Sequence, residues 1–288
     1  MDIYGIIGYP AKHSRSPSIH NAAFKHLKID AEYKIFEVAP ENLEKFLKEE
    51  MPAKGIKGLS VTIPHKIECM KFLDEIKTTA KDLGAVNTIK YENGKLIGEN
   101  FDWVGVYKPL KEITEIENKH IVICGAGGAA RAAAYAITRE NPSSLTVLVR
   151  NPSADSHPGG NLSTEKILPK YQDFAKTFNC RVDSLTNLKN YEADIIINAT
   201  QVGMTSQSDP SAINQTLIPQ DYLKPHMTVF EVVYAPLETK LILDAKQAGC
   251  KTVTGEKMLL SQALEQFEFW TNQIAPKSVM LQALLRNL

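Results

Sequence analysis

The feature that most constrains the fold is a glycine-rich turn between an apolar strand and an alanine-rich helix. The run His120-Ile121-Val122-Ile123-Cys124 is followed by Gly125-Ala126-Gly127-Gly128-Ala129-Ala130 and then by a helical pattern to about Glu140. A strand this apolar is typical of a parallel sheet covered on both faces. The turn has the form G-x-G-x-x-G/A, with Ala130 in the third place. We therefore predict a Rossmann-type dinucleotide site, the alternative being a bare tight turn.

Each small residue of this turn has a physical reason to be there. Gly125 permits the tight turn, and Gly127 lets backbone amides approach a pyrophosphate. Ala130 lets the helix pack closely against the strand, so that the helix N-terminus faces the phosphates.

The end of the next strand indicates which dinucleotide binds. Val147-Leu148-Val149-Arg150-Asn151 offers an arginine, and no carboxylate follows until Asp155. NAD enzymes usually place an acid there for the ribose 2′-hydroxyl, whereas NADP enzymes place a cation for the 2′-phosphate. The pattern favours NADP, and the alternative is that Arg150 is a solvated charge at the end of a strand.

Composition narrows the class of protein. The chain has 288 residues, of which 43% are hydrophobic and 23% charged, and its formal net charge is zero. This length allows one large or two medium domains. No basic stripe or acidic tail recurs, so we expect neither nucleic acid nor a membrane surface as a partner.

The cysteines and the N-terminus indicate a location. The four cysteines are scattered without metal-ligand spacing, as in proteins of a reducing compartment, and no metal is expected. The start, Met1 to Gly5, lacks the basic region of a signal peptide. Arg131 interrupts the best candidate for a run of about 18 apolar residues. We expect a cytoplasmic protein.

Short β-branched runs alternate with helical patterns, which is typical of an α/β fold. One helix is predicted to begin at Pro17 with Ser16 as its N-cap, and another over Glu41–Glu49. Predicted strands are 3–8, 33–38, 58–63, 120–124, 145–149, 193–198 and 228–233. The last thirty or so residues return to helix, and Asn151–Thr164 has the composition of a loop.

A second group of polar residues lies near the N-terminus. Two short hydroxyls, Ser14 and Ser16, stand at a helix start before Pro17. They suit a small carboxylate beside unsatisfied amides, although plain helix capping explains them equally well. His13, His20 and His65 have no companion at metal-ligand spacing, and we interpret them as structural or solvated.

Lys66 stands in a place where a lysine is unexpected. It follows Thr62 at a strand end and falls in the first turn of the next helix, where the helix dipole favours carboxylates. Asn87 and Asp102 add an amide and a carboxylate at strand or turn positions. Each of these residues is either catalytic or an ordinary surface residue.

Eight motifs, in order, resemble those of the shikimate dehydrogenase family and cover nearly the whole chain. They are Gly-x-Pro-x-x-His-Ser-x-Ser-Pro-x-x-His-Asn at 8–21, Val-Thr-Ile-Pro-His-Lys at 61–66, Gly-Ala-Val-Asn-Thr at 84–88, Asn-x-Asp at 100–102, the turn at 125–130, Asn-Ala-Thr-x-x-Gly-Met at 198–204, Val-Tyr-x-Pro-x-x-Thr at 233–239 and Gly-x-x-Met-Leu-x-x-Gln at 255–262.

The resemblance implies an NADP-dependent enzyme that interconverts 3-dehydroshikimate and shikimate in chorismate and aromatic amino-acid biosynthesis, as a monomer or homodimer. It implies Lys66 and Asp102 as the catalytic pair, with Asp102 holding the lysine ammonium in place. Substrate contacts are implied at Ser14, Ser16, Thr62, Asn87, Tyr234 and Gln262. Cofactor contacts are implied at Gly125, Ala126, Gly127, Gly128, Ala129, Ala130, Arg150, Asn151, Thr200, Val232 and Gly255.

The architecture implied is an N-terminal α/β substrate domain, residues 1–103 with 256–288, plus a Rossmann-type doubly wound parallel-sheet NADP domain, residues 104–255. The active cleft is expected between them, with the final helices packed on the N-terminal domain. Two alternatives stay open. One is a catabolic quinate/shikimate dehydrogenase of the same fold, and the other is a non-catalytic NADP-binding sensor, which would lack Lys66 or Asp102.

The chain departs from the family pattern at several places. Ser60 stands where many members have Asn, Phe101 where Thr is usual, Gln201 where Ser is commoner and Glu231 where Asp is commoner. After Arg150, the second base of the family turn is replaced by Ala154, and the loop 152–167 is long. One hypothesis is that this loop brings Lys166 or Lys170 to the 2′-phosphate. The other is a surface loop without a role.

Overall fold

The computed structural model of the chain describes residues 1–152, 168–205 and 209–286. It divides into two compact units, one of Met1–Asp102 with Leu260–Leu288 and one of Trp103–Leu259. The domain boundaries predicted from the sequence fall after residues 103 and 255. In the structure they fall after Asp102 and Leu259.

The first unit contains a mixed six-stranded sheet in the order β2-β1-β3-β5-β6-β4. Its strands are β1 Asp2–Gly8, β2 Ala31–Glu37, β3 Ile56–Val61, β4 Glu75–Ile76, β5 Thr88–Glu92 and β6 Lys95–Glu99. The three strands β2, β1 and β3 are parallel, and β5 runs antiparallel to both β3 and β6. The sheet is therefore not of the purely parallel type.

Sequence analysis missed the hairpin of β5 and β6. Asn93 and Gly94 connect the two strands with φ of 53° and 77°. Positive φ at both central residues is what a tight two-residue hairpin requires, and an Asn-Gly pair between apolar runs is its strongest local signal. That signal was present in the sequence.

The helices of this unit lie on both sides of the sheet. They are α1 Ser16–Leu27, α2 Leu43–Lys45, α3 Met51–Ala53, α4 His65–Glu68, α5 Thr78–Leu83 and, after the second unit, α10 Gly255–Thr271 and α11 Lys277–Leu285. Short 3₁₀ turns occur at Pro40–Asn42 and Cys69–Phe72. The single α-helix predicted over Glu41–Glu49 is wrong in part, because α2 and α3 flank a π-helical turn at Phe46–Glu50.

Trp270 anchors the C-terminal helices to the sheet. Its indole nitrogen donates to the carbonyl of Ile89 in β5 at 3.0 Å, and its ring leaves no room for a side chain at Gly58 in β3. A Cβ on Gly58 would lie 2.5 Å from the indole. Tyr4 and Tyr33 pack beside it, and α11 packs on α1.

The second unit contains an all-parallel six-stranded sheet in the order β12-β11-β10-β7-β8-β9. Its strands are β7 His120–Cys124, β8 Ser144–Val149, β9 Arg181–Ser184, β10 Ile195–Asn198, β11 Thr228–Glu231 and β12 Lys251–Val253. Its helices are α6 Asp102–Lys111, α7 Gly128–Thr138, α8 Pro169–Thr177 and α9 Lys240–Gln247, with 3₁₀ turns at Leu185–Asn190, Pro210–Asn214 and Gln220–Tyr222.

Both faces of this sheet are buried, which explains the unbroken apolar run of β7. Ile121 and Ile123 of this strand belong to one hydrophobic cluster, and Val122 and Cys124 belong to another on the opposite face. The predicted α/β class with a Rossmann-type unit is confirmed. None of the described helices is long and apolar enough to cross a membrane.

Several predicted strand ends differ from the structure by one or two residues, the usual uncertainty of such boundaries. Two of the differences concern the site. β3 ends at Val61, because Thr62 begins a turn in which its carbonyl accepts from the amide of His65 at 2.9 Å. β11 ends at Glu231, two residues before the predicted Val233.

Candidate active site

Lys66 and Asp102 form an ion pair in the first unit. Nζ of Lys66 lies 2.6 Å from Oδ2 of Asp102. The carboxylate side chain is 3% exposed and the lysine side chain 21%, so that the acid is buried and the ammonium reaches solvent. An ammonium has three N–H donors. Among the described residues, Asp102 accepts from one of them. The remaining donors are available to a ligand.

The second oxygen of Asp102 is also occupied. Nδ2 of Asn87 donates to Oδ1 of Asp102 at 2.9 Å and to Oε1 of Gln262 at 3.2 Å. Oδ1 of Asn87 accepts from the backbone amide of Phe101 at 2.9 Å. Because an amide N–H can only donate, this contact fixes which end of the Asn87 side chain faces Asp102. The structure thus brings together four residues predicted from distant parts of the sequence.

Local structure explains why Lys66 and Asp102 meet. Lys66 lies in α4 just after β3, and its carbonyl accepts from the amide of Val86 at 2.7 Å. Asn100 fixes the start of α6, since its side chain accepts from the amide of Asp102 at 2.9 Å and donates to the carbonyl of Ala85 at 2.9 Å. The Asn-x-Asp motif therefore joins a helix start to the segment that holds Lys66.

The two N-terminal serines lie at the beginning of α1. The prediction that Ser16 caps this helix is wrong, because the helix begins at Ser16 and Arg15 is the capping residue, without a side-chain hydrogen bond. Ser14 Oγ instead accepts from the amide of Ser16 at 3.2 Å. Because Pro17 has no N–H and the amide of Ser16 already donates to Ser14, an anion at this helix start would bind chiefly to the serine hydroxyls.

Thr62 lies at the end of β3, where its amide donates to the carbonyl of Ile7 at 2.9 Å. A Cβ on Gly8 would lie 2.4 Å from its methyl group. Gly8 is thus needed for the close approach of β1 to this threonine.

The arrangement can transfer a proton and hold a polar ring. A partly exposed ammonium is oriented by a buried carboxylate, and amide and hydroxyl groups lie beside them. Such a set suits general acid–base chemistry on a hydroxyl or carbonyl oxygen. Among the described residues, no group of three or more His, Cys, Asp or Glu could hold a metal ion.

The glycine-rich turn of the second unit has the geometry that a dinucleotide requires. Gly125 has φ of +106°, and a Cβ there would lie 2.9 Å from the methyl group of Thr200. A Cβ on Gly127 would meet nothing within 4 Å, so that the protein itself leaves this space open. No side chain caps α7, and Ala130 is fully buried against the strands. These residues fit a bound pyrophosphate at the helix start.

A groove of about 410 Å³ lies at the carboxyl ends of β7, β8 and β10. The chain leaves β7 for β8 on one side and returns to β10 on the other, which is the switch point where parallel sheets bind ligands. Four predicted cofactor residues line it, Gly125, Ala126, Arg150 and Thr200. Arg150 and Asn151 are exposed at the end of β8.

Part of the groove is lined by residues for which the sequence gives no signal of a ligand. Its further lining residues include Tyr171, Leu185, Gln215 and Leu217. They lie in or beside α8 and 3₁₀ turns, and apolar or amide side chains in such elements carry no local signal of a ligand. Gln201, noted as a departure from the family, also lines the groove.

Other predicted cofactor residues lie elsewhere in the same unit. The amide of Val232 donates to the carbonyl of Asn198 at 3.1 Å, and Gly255 packs against the end of β11, since a Cβ there would lie 2.4 Å from the carbonyl oxygen of Val233. Gly128 and Ala129 form the first turn of α7. Tyr234 follows β11 and is partly buried. The loop 153–167 with Lys166, and the side chain of Lys170, lie outside the described residues.

The three histidines have different surroundings. His13 is exposed. His65 is buried and its Nε2 lies 2.7 Å from the carbonyl of Val38. His20 is fully buried and stacks on Tyr33, with ring centres 4.6 Å apart. Burial lowers the pKa of His20 to about 3, so this ring is neutral.

Glu231 is a buried carboxylate at the end of β11. It accepts from Nδ2 of Asn198 at 3.0 Å on both oxygens, from the amide of Val233 at 2.9 Å and from the hydroxyl of Thr239 at 3.0 Å. Burial raises its pKa from 4.5 to about 7, and these donors oppose the rise. Glu231 thus connects the motif at 198–204 with the motif at 233–239, at the edge of the sheet where the groove lies.

We expect the stability of the protein to fall between pH 4.5 and pH 7 because of Glu231. The folded state binds this proton more tightly than the unfolded state, so the stabilisation is complete below pH 4.5 and is lost as the pH rises through about 7. The loss amounts to about 3 kcal/mol. The Glu231→Gln variant has no ionisable group at this position and should not show this loss of stability with rising pH. Unfolding midpoints of both proteins from pH 5 to pH 8 measure the difference, and a difference independent of pH would contradict the expectation.

Comparison with known proteins agrees with this geometry. Residues 6–89 match the shikimate dehydrogenase substrate binding domain, and residues 255–285 match the shikimate 5′-dehydrogenase C-terminal domain. A shikimate dehydrogenase (NADP(+)) of Methanobrevibacter smithii is 40% identical over 290 residues, which cover 99% of this chain and 97% of that protein.

Two solved structures are similar over nearly the full length. A shikimate dehydrogenase in complex with NADP+ is 38% identical, with a TM-score of 0.86, over 99% of this chain and 95% of the other. The shikimate 5-dehydrogenase of Thermus thermophilus, in complex with NADP(H) and shikimate, is 29% identical with a TM-score of 0.84 over 100% of both chains. The resemblance inferred from the motifs is confirmed, and the chain belongs to the shikimate dehydrogenase family.

Proposed function

We propose that this protein catalyses the reversible NADPH-dependent reduction of 3-dehydroshikimate to shikimate, a step of chorismate and aromatic amino-acid biosynthesis. The observation that carries the proposal is the Lys66–Asp102 pair at 2.6 Å, oriented by Asn87 in a chain of this family. A protein that bound NADP without turnover would have no need of a buried carboxylate that orients a partly exposed ammonium.

The substrate carboxylate is proposed to bind at the start of α1. Ser14 and Ser16 are proposed to supply hydroxyl donors to the anion, and Tyr234 is proposed to add its own hydroxyl. The ring hydroxyls are proposed to meet Thr62, Lys66, Asn87, Asp102 and Gln262. The hydrogen bonds among the last four support this, because groups that already hold one another in place lose less entropy on binding.

The cofactor is proposed to bind along the groove of the second unit. The N-terminus of α7 suits the pyrophosphate, and Arg150 at the end of β8 suits the 2′-phosphate. Gly128, Ala129 and Asn151 are proposed to contribute around these two sites, with Thr200, Val232 and Gly255 at the ends of β10 and β11. When bound, NADPH supplies the hydride that reduces the ring C3 carbonyl carbon.

Lys66 is proposed to complete the reduction. Its ammonium donates a proton to the carbonyl oxygen as that oxygen becomes a hydroxyl, and the neutral amine then regains a proton from solvent, to which 21% of the side chain is exposed. In the reverse direction the amine accepts the proton of the hydroxyl. Asp102 keeps the nitrogen in place throughout, because its own position is held by Asn87.

The test is absorbance at 340 nm with the purified protein. We expect NADP+ reduction with shikimate, and much slower reduction with quinate or with NAD+. Faster turnover of quinate would favour the catabolic quinate/shikimate dehydrogenase. NADP+ binding without turnover of either acid would favour a sensor and contradict the proposal. We also propose a cytoplasmic monomer or homodimer; the four cysteines are free thiols, as in reducing compartments.

Loss of either serine should weaken shikimate binding. A hydrogen bond to a charged group contributes about 1.5–3 kcal/mol, so Ser14→Ala and Ser16→Ala should each raise the KM for shikimate about tenfold or more. The KM for NADP+ should not change. Ser18→Ala is the matched control, because Ser18 lies on the same helix and donates to the carbonyl of Arg15. Equal affinity of the wild type for shikimate and its carboxamide would contradict the assignment.

A further inference from the structure

Gln266 joins two parts of the first unit through a buried hydrogen-bond network. It lies in α10, 5% exposed, one turn beyond Gln262. Its Nε2 donates to the backbone carbonyl of Asn87 at 3.2 Å and to Oγ1 of Thr88 at 2.9 Å. Its Oε1 accepts from the hydroxyl of Ser60 at 2.8 Å. These three partners all lie on strands β3 and β5 or at their ends.

The network extends from Ser60 to Tyr33 in β2. The hydroxyl of Tyr33 donates to Ser60 at 2.7 Å. Burial raises the pKa of Tyr33 far above its ordinary value, and hydrogen bonds with Ser60 and with Ser16 of α1 oppose the rise. A continuous set of hydrogen bonds therefore runs from Tyr33 of β2 through Ser60 and Gln266 to Asn87.

The orientation of the Gln266 amide sets the direction in which the hydroxyl of Thr88 donates. The carbonyl of Asn87 can only accept, so the Nε2 end of Gln266 must face it. The same NH₂ group donates to Thr88, and the hydroxyl proton of Thr88 is therefore directed to Oδ1 of Asn87, at 2.7 Å. Oδ1 of Asn87 therefore accepts from both Thr88 and Phe101, and the bond from Thr88 reinforces the orientation, given by Phe101, in which the NH₂ of Asn87 faces Asp102.

We infer that Gln266 is a positioning residue for the reaction, which acts through Thr88 and Asn87 on Asp102 and Lys66 without touching the substrate. This inference rests on the proposed function and extends it to a residue outside the binding site. An apolar residue of the same length would fill the volume but would leave the hydroxyl of Ser60 without this acceptor and Oγ1 of Thr88 without this donor, while the carbonyl of Asn87 would keep only the amide of Val61 as a donor, at 2.7 Å. Buried groups left unpaired in this way rearrange or weaken their neighbours.

The test compares Gln266→Met with Trp270→Phe. Trp270 lies on the same helix and donates to the backbone of β5, so Trp270→Phe removes a buried hydrogen bond of the same helix–strand contact but no hydrogen bond of the network. We expect both variants to lower the melting temperature. Only Gln266→Met should lower kcat/KM for shikimate, by about tenfold, with an unchanged KM for NADP+. Kinetic constants of Gln266→Met within twofold of the wild type would overturn the inference.

A second variant, Gln266→Glu, gives a measurement that a purely structural role of Gln266 would leave unchanged, the pH dependence of kcat/KM. Gln266→Glu can donate to the carbonyl of Asn87 only when its carboxyl is protonated, and burial favours that form. Because a protonated carboxyl has one donor where the amide has two, its kcat/KM relative to the wild type should recover in part as the pH falls, whereas that of Gln266→Met should stay low at every pH. If the ratio of kcat/KM between Gln266→Glu and the wild type did not change with pH, the inference would be wrong. This test holds even if Gln266→Met does not fold.

One measurement needs no turnover at all. The side-chain amide protons of Asn87 should exchange slowly with solvent in the ligand-free wild type and much faster in Gln266→Glu at high pH, by NMR. Equal exchange rates would overturn the inference whatever the substrate is. Absence of shikimate oxidation by the wild type would contradict the proposed function alone, so that the two failures are distinguishable.

Discussion

Replacement of Lys66 by alanine is expected to lower kcat for shikimate oxidation by about 10²–10⁴-fold, the usual contribution of a positioned acid or base. The reason is the ion pair with Asp102 at 2.6 Å, which places the only proposed proton donor of the site. The KM values should change much less, because the residues proposed to bind the ring hydroxyls, Asn87 and Gln262, and the serines proposed to bind the carboxylate remain in place. Steady-state kinetics with both substrates measure the effect.

Lys71→Ala is the matched control for this variant. Lys71 follows α4 in the 3₁₀ turn and pairs with Glu68 at 2.8 Å, but both side chains are exposed, at 65% and 48%. An exposed pair of this kind contributes little, so kcat should stay within twofold of the wild type. If Lys66→Ala also kept near wild-type turnover, Lys66 would have no part in the mechanism.

Replacement of Arg150 by alanine is expected to raise the KM for NADP+ by about 10–100-fold, since a charge-assisted bond to phosphate contributes about 1.5–3 kcal/mol. Arg150 lines the groove at the end of β8, the position at which NADP enzymes usually place a cation for the 2′-phosphate. The KM for NAD+, which has no such phosphate, should not change. The ratio of the two KM values therefore measures the selectivity that this arginine provides.

Arg139→Ala serves as the control for the loss of a positive charge. Arg139 follows α7, is exposed, and lies over the ring of Tyr135 at 5.2 Å rather than in the groove. Its loss should leave both KM values unchanged. An unchanged KM for NADP+ in Arg150→Ala would mean that other residues bind the 2′-phosphate. Lys166 and Lys170 are the residues predicted for that role from the sequence.

Local patterns were enough to predict the turn and its surroundings. A strand buried on both faces must be apolar throughout, and a chain that turns sharply with φ of +106° at Gly125 requires glycine. Both requirements act between neighbours in the chain, and they therefore leave a pattern in consecutive residues. The same holds for Arg150, which needs only to follow a strand of the parallel sheet.

The residues of the substrate unit could be chosen from the sequence only because their motifs resemble a family. Nothing local distinguishes Asn87 or Asp102 from other polar residues at strand ends. Their meaning comes from contacts between distant segments, such as that of Lys66 with Asp102, 36 positions apart. The one local expectation tested at α1 failed, since Ser16 begins the helix instead of capping it.

By itself, the sequence determined the α/β class, the dinucleotide turn and the side of the sheet on which the cofactor residues lie, because period, glycine and strand ends are properties of consecutive residues. Only the tertiary structure decided the antiparallel hairpin's place in the first sheet and the role inferred for Gln266. That side chain lies 179 positions from Asn87, and an amide on a helix has no pattern of its own. Its partners are defined when α10 packs on β3 and β5, and burial then makes each unpaired donor costly.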